Sequence, residues 1–291
     1  MKICFVANHK RWGGLANNGG SKTIIRSAET LKELGHTVKI LTNSNKYTWH
    51  DPKCKIIKKV KHPDKYDVAI AVSVSEINNT IEQFPKSRHF WWVRGFETWR
   101  MPEEKIIKKA KKIEVLVNSS WLLQKFPHGK VAFAGLDLDF WNDKDRTNMV
   151  KWGAMRYYKH DTKRSDLIDS YLYPDSYRII NIDSKYDDKN LMEIYKDCDV
   201  WFAPTELEGF HNVPAEANLC GCMVVCNRLD SNGMGDYATD ETAMRYTGYD
   251  EMLACIENPD FSKVEKMQKL LREKIGDRTS CMKKFIKLIG G

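Results

Sequence analysis

The residues with most to offer chemically lie in one stretch, Pro204-Thr205-Glu206-Leu207-Glu208-Gly209-Phe210-His211-Asn212-Val213-Pro214-Ala215-Glu216-Ala217. The spacing of its two carboxylates puts Glu208 on a loop and Glu216 about a turn inside a helix, with Asn212 as the expected N-cap and Pro214 in the first turn. An apolar run over 199–203 leads in and predicts a buried strand. Gly221 closes the helix, and 223–226 predicts a second strand. Strand, loop, helix N-terminus, strand is a layout that holds anions: N–H groups of the 209–213 turn and the positive end of the helix dipole would face a phosphate, with no metal strictly required. A plainer reading has Glu208 and Glu216 only capping a helix and favouring its dipole. Capping alone does not call for the pattern that surrounds them.

The stretch resembles the E-x7-E signature of retaining glycosyltransferases of family 4. Pro204-Thr205, Glu208-Gly-Phe, Glu216-Ala and Gly221-x-x-Val-Val all fall at family spacing. The resemblance covers most of the chain and is densest over 204–226. It implies that Glu216 holds the ribose hydroxyls of a sugar nucleotide, that Glu208 lies beside the donor sugar as a catalytic group, and that Gly209, Phe210, His211, Asn212 and Val213 belong to the donor site. Gly153-Ala-Met-Arg156, followed by Lys159 and Lys163, resembles the family segment whose arginine and lysine clamp the donor diphosphate. Arg156 matches the arginine, while Lys159 and Lys163 compete for the lysine because the spacing departs from the pattern. A guanidinium grips phosphate through two parallel hydrogen bonds and an ammonium acts as a point charge, so both residue types make physical sense there. Gly19, Gly20 and Ser21 correspond to a loop that approaches the donor phosphates or the acceptor. Arg94, Glu97 and Trp99 stand where the family touches donor sugar or acceptor, Glu97 being a catalytic candidate as well, and here the correspondence is partial.

The elements that must position these groups read as follows. A strand over 2–8, a helix over 21–34 and a strand over 36–42 form a βαβ unit. Glycines 13, 14, 19 and 20 miss the G-x-G-x-x-G spacing, and the second strand lacks a following acid, so NAD is disfavoured. Strands over 66–74, 87–95 and 113–118 alternate with helices over 103–112 and 120–126. The segment 130–141 resembles the family's domain-closing segment. One strand, 177–182, and one helix, 189–197, precede Val200, and helices over 249–257 and 261–289 finish the chain. The resemblance implies an α/β chain of the GT-B fold: two Rossmann-like domains facing a cleft, the second trimmed. The acceptor-binding domain would be 1–142 and the nucleotide-sugar domain 143–291, a fold in which the last helix crosses back.

With 291 residues the chain accommodates two domains, and 42% hydrophobic with 30% charged residues excludes a disordered chain. No apolar run is long enough to span a bilayer, and the first residues read as a strand and not as a signal peptide, so a soluble, cytoplasmic protein is expected. The eight cysteines include no CxxC pair and mostly sit in apolar elements. Cys220, Cys222 and Cys226 therefore read as buried thiols, and neither a zinc site nor another metal site is expected.

Charge is unevenly distributed. Residues 1–140 hold 25 Lys and Arg against 13 Asp and Glu; the remainder holds 22 against 26. A basic first half implies an anionic partner, with a solvated lysine face as the plainer reading. Lysines cluster over 53–65 and 105–112, and seven of the nine tryptophans precede residue 142. The expected reaction is retaining transfer of a hexosyl or pentosyl group from a nucleotide-diphosphate sugar, with UDP as the nucleotide, to a hydroxyl on a polyanionic acceptor. The reading leans to a hydroxylated base in DNA, whose phosphates Lys58, Lys59, Lys108 and Lys109 would bind. The alternative acceptor is a lipid-linked or cell-surface glycan at an anionic membrane. A sugar-nucleotide epimerase or a phosphorylase is a rival within enzymes. From a different class, a non-catalytic nucleic-acid-binding module is opposed by the presence of Glu208, Glu216 and Arg156.

Overall fold

The computed structural model describes residues 1–143, 152–157, 161–171, 177–181 and 186–291. Lys159 and most of the expected domain junction lie outside the described residues. The chain divides into two compact units, Met1–Gly135 with Arg278–Gly291, and Leu136–Asp277.

In the first unit, apolar runs buried on both faces make the strands: Ile3, Cys4, Phe5 and Val6 of β1 (Lys2–Ala7) are fully buried, the pattern of a parallel strand covered on two sides. α1 (Gly19–Glu33), β2 (Thr37–Thr42), β3 (Lys55–Ile57), β4 (Val68–Ala71), α2 (Ile77–Gln83), β5 (Arg88–Val93), α3 (Glu103–Ala110), β6 (Glu114–Val117) and β7 (Lys130–Val131) follow. The strands form one parallel sheet in the order β3-β2-β1-β4-β5-β6-β7. The chain moves outward from β1 to β3, then returns to the other side of β1. In an open α/β sheet, ligands bind beyond the carboxyl ends at such a reversal, here between β1 and β4. Two helix expectations need correction. α1 begins at Gly19, before Ser21, because Asn18 Oδ1 accepts the Ser21 N–H at 2.8 Å. Over 120–126 there is only a 3-10 turn, Ser120–Gln124, with no side-chain cap.

In the second unit, β8 (Trp152–Arg156), α4 (Ser165–Tyr171), β9 (Tyr177–Asn181), α5 (Asp188–Lys196), β10 (Val200–Ala203), α6 (Asn212–Leu219), β11 (Met223–Asn227), β12 (Met244–Tyr246), α7 (Tyr249–Glu257) and α8 (Lys263–Leu270) build a smaller, five-stranded parallel sheet. Its order is β12-β11-β10-β8-β9. α4 was not expected from sequence: it is short, and of its residues only Ser165 and Ile168 are buried, too few to show a helical period. Gly153 faces Trp201 across the β8–β10 pair. A Cβ at 153 would stand 2.5 Å from the indole and 2.8 Å from Cys198 Sγ, so only glycine fits beneath this tryptophan.

The first unit ends at Gly135 rather than near 142. Leu136 N–H donates to Gly276 O at 3.1 Å, and Trp141 packs on Tyr195 with ring centroids 5.6 Å apart, both within the second unit. The expected long final helix is broken: α8 passes into a π turn over Leu271–Ile275, Gly276 turns the chain with φ +83°, and α9 (Arg278–Leu288) belongs to the first unit. All eight cysteines are buried and none is in a disulfide; burial pushes the Cys4 and Cys226 thiols up to about 12. Among the described residues, no helix is long and apolar enough to cross a membrane.

Candidate functional site

In the second unit the strand order also reverses. β9 lies on one side of β8 and β10 on the other, so the loops leaving β8 and β10 flank the place where an open α/β sheet takes its ligand. Arg156 ends β8, and the loops carry Lys163 and the 204–211 stretch. They are tied together: Glu206 N–H donates to Thr162 O at 2.7 Å, and Arg164, whose backbone takes the left-handed conformation with φ 51°, donates to Glu206 Oε1 at 2.7 Å and pairs with Asp166. This linkage was not anticipated from sequence. A non-glycine residue at positive φ persists only where its surroundings hold it, and this ion pair supplies the hold.

At the centre, Lys163 Nζ donates to Glu208 Oε1. Burial works to raise the Glu208 carboxyl, and the Lys163 ammonium leads the influences that hold it below its ordinary value. Beside them stands His211. Burial pulls its imidazole down to about 4 despite the attraction of Glu208, with Lys163 acting in the same direction as burial. The ring is therefore neutral at physiological pH, and its buried Nδ1 has no hydrogen-bond partner among the described residues. Lys163, Glu208 and His211 thus form one cluster, as an ion pair with a neutral imidazole against it.

A second loop straps this cluster. Glu208 N–H donates to Ser231 O at 2.8 Å and His211 N–H to Gly233 O at 3.0 Å, Ser231 Oγ donates to Glu206 O at 2.7 Å, and Tyr237 donates to His211 O. Phe210 packs on Tyr237, ring centroids 5.3 Å apart. Gly233 has φ +77°, and a Cβ there would meet Gly209 O at 2.6 Å, so the strap closes only with glycine. Asn227 Nδ2 donates to Pro204 O at 2.9 Å and Thr205 O at 2.8 Å, fixing the start of the loop. From sequence, 230–236 reads only as a turn; Gly233 was the available signal.

α6 is capped by His211 and not by Asn212, which is its first helical residue. The engaged His211 N–H narrows the expected row of donors. The N–H groups of Asn212 and Val213 donate to no acceptor among the described residues, leaving them as the positive pole of the helix. Glu216 sits one turn in, 2% exposed. Arg156, at the end of β8, is not joined to the Lys163–Glu208 pair by any hydrogen bond; its Nε lies 2.7 Å from Asp169 Oδ1. Among the described residues, no group of His, Cys, Asp and Glu is arranged to hold a metal ion.

In the first unit, Arg94 and Glu97 are used internally. The Arg94 guanidinium donates to Gly20 O and, at 2.6 Å, to Val72 O; burial pulls it down to about 10. Glu97 accepts the Val74 N–H at 2.6 Å, and burial pushes its carboxyl up. Both residues therefore tie the loops at the β1–β4 reversal. Glu76, not singled out from sequence, does the same by accepting from His9 N–H at 2.7 Å and from Asn79 Nδ2 at 3.0 Å. Gly19 opens α1 in open space, Gly20 gives its carbonyl to Arg94, and the Ser21 N–H and hydroxyl are taken by Asn18 and by the Ala16 N–H. Trp99 is exposed, as is Trp12, which has Arg11 at 4.6 Å over its ring. Trp91, Trp92, Trp141 and Trp201 are core residues. Lys58 and Lys59 follow β3 at one sheet edge, whereas Lys108 and Lys109 end α3, beyond β2, β1 and β4, about 20 Å away at ordinary strand spacing. They do not form one patch.

No family model matches the chain, and no curated protein matches its sequence. Its architecture is nonetheless similar to solved structures. The HepE protein of Anabaena in complex with UDP and glucose is 11% identical with a TM-score of 0.75, each chain covered over its whole length. Sucrose-phosphate synthase from Thermosynechococcus elongatus is 12% identical with a TM-score of 0.72, over 99% of this chain and 98% of that one. The catalytic domain of starch synthase IV from Arabidopsis thaliana, bound to ADP and acarbose, is 10% identical with a TM-score of 0.65, over 99% and 98%. At such identities the likeness establishes the fold, which is GT-B.

Proposed function

We propose that the chain is a glycosyltransferase that moves a sugar from a UDP-sugar to an acceptor hydroxyl with retention at the anomeric carbon. The observation that carries this reading is the Lys163–Glu208 pair with neutral His211 at the start of α6, at the sheet's reversal point. In the transfer, the bond from the anomeric carbon to the diphosphate oxygen breaks, a bond to the acceptor oxygen forms, and the acceptor's O–H bond breaks, its proton leaving with the UDP product. Negative charge develops on the departing diphosphate. Lys163, Arg156 and the N–H groups of Asn212 and Val213 are the groups that would stabilise it, each exchanging a carboxylate or water for phosphate oxygen. These cations and the helix dipole make a metal dispensable, so activity is expected to survive EDTA; strict dependence on Mg2+ or Mn2+ would contradict this. Glu216 would take the ribose, and Glu208 the sugar. HepE crystallised with UDP-glucose supports UDP as the nucleotide.

For the acceptor, the distribution of basic groups favours an anionic glycan over DNA. The lysines expected to bind phosphates lie about 20 Å apart along the sheet, and four of the seven tryptophans before residue 142, Trp91, Trp92, Trp121 and Trp141, are buried and cannot stack on a base. Trp12, with Arg11 and Arg100 over its ring, and Trp99 are the exposed tryptophans. A thermal-shift series with UDP, UDP-glucose, ADP and GDP tests the donor reading, because a ligand that binds only the folded chain at 100 times its Kd adds about 2.7 kcal/mol. UDP compounds should raise the transition and the purine nucleotides much less; no shift with any of them sinks the reading. Consumption of donor only when acceptor is added separates transfer from epimerisation.

A further inference from the structure

The face of the first sheet that carries Cys4, Val6 and Leu41 is packed by Tyr66 and Phe84, but over β2 and β3 no α-helix among the described residues covers it. The crossing segment 58–66, with a 3-10 turn over Pro63–Lys65, passes there. Side chains alternate along a strand, so Lys39 and Leu41 share this face, as do Lys55 and Ile57, and Lys39 stands opposite Lys55 in register. The result is a groove of about 420 Å³ whose walls bear Lys2, Lys39, Lys55, Lys59, Lys61 and Lys65. Among the described residues no carboxylate lines it, and none of the six ammonium groups is in an ion pair. Asp67, just outside, is occupied by the Lys2 N–H at 2.6 Å.

We propose that this groove is a docking site for an extended anionic glycan, holding a polymer at the end of the sheet opposite the loops after β1 and β4. Six like charges around one concavity repel one another, and a chain of repeated carboxylate, sulfate or phosphate groups relieves that repulsion while releasing its counter-ions. A volume of about 420 Å³ admits a single extended chain and not a duplex. Tyr66 of the lining is buried, with Lys39 Nζ 5.7 Å from its centroid, so its ring offers no face on which a base could stack; the lining holds no Phe or Trp, and a single exposed imidazole, His62, is its other ring. A concave wall does not meet a flat bilayer. The lining includes no arginine, so the charges act as flexible points suited to loosely spaced anions rather than to one clamped phosphate. The docking stands on the groove itself; that the bound chain is also the acceptor rests on the reading above.

The test is titration of the full chain with a heparin octasaccharide, an uncharged dextran of equal length, a 20-base-pair DNA duplex and phosphatidylserine vesicles. The heparin fragment should bind and the dextran should not, with affinity falling steeply as salt rises. The triple variant Lys55→Glu, Lys61→Glu, Lys65→Glu should weaken binding at least tenfold. Lys283→Glu, Lys284→Glu, Lys287→Glu, with the same change in net charge on α9, should leave it within twofold. Both variants should keep the wild-type thermal shift with UDP, which shows that they fold and separates failure of the groove from failure of the donor site. Heparin affinity unchanged in the groove variant overturns the proposal. So does tighter binding of duplex or vesicles that the groove variant abolishes, since the occupant would then be a nucleic acid or a membrane.

Discussion

The neutral imidazole of His211 gives a pH signature. Its unfolded value of 6.5 falls to about 4 in the folded chain, so below pH 6.5 the unfolded chain binds a proton that the folded chain refuses. Stability is unaffected above that value and is lost as pH falls from 6.5 towards 4, by about 2–3 kcal/mol at pH 4.5. Urea titrations of wild type and His211→Gln at pH 7.5 and 4.5 should show a smaller acid loss in the variant by that amount; equal losses would mean that the ring is protonated in the fold. Glu208 and Glu216 should fail differently. Glu208→Ala removes the partner of Lys163 and should lower kcat more than donor affinity, whereas Glu216→Ala should mainly raise the Kd for UDP; equal effects on UDP binding would dissolve the division of roles. At this scale the sequence was most legible where spacing alone matters: the loop position of Glu208 and the helix position of Glu216 follow from their separation. The inward use of Arg94 and Glu97 was not legible, because nothing local says that Val72, Val74 and Gly20 will converge on them.

Glycines decide the second unit's elements where backbone or ring comes too close for a side chain. Gly233→Ala would place a methyl group against Gly209 O at positive φ, a cost of about 2–4 kcal/mol from strain and overpacking together. Since the same strap holds Glu208 and His211, the variant should also bind UDP more weakly, and a variant that loses stability while keeping full affinity would show the strap to be uncoupled from the site. Strands were readable because buried parallel strands are continuous apolar runs, as in β1, β10 and β11. Helix ends were less so. Whether α1 starts at 19 or 21, and whether His211 or Asn212 caps α6, depends on which side chain or backbone reaches which N–H after the loop has folded. α4 escaped because its few buried positions are too sparse to set a period.

On the scale of the whole chain, the two units were legible from paired strand and helix runs, but α9 belongs to the first unit through packing that no local pattern announces. Cys281, Met282, Phe285 and Ile289 of the C-terminal segment enter the core that includes Ile3, Phe5, Ile25 and Trp92. Phe285 meets Trp92 edge-on, with centroids 5.1 Å apart. The last fourteen residues thus stabilise a core laid down by the first. Phe285→Ala should cost about 3–5 kcal/mol, the range for emptying a buried aromatic site, and should do so in the first unit alone. Calorimetry gives a way to assign it: UDP should raise only the transition of the second unit, because a ligand stabilises the unit that binds it. The transition that UDP does not move should be the one lowered by Phe285→Ala, while the UDP shift stays at its wild-type size. A variant that lowers the UDP-sensitive transition equally would mean that the two cores unfold as one, and that α9 serves both.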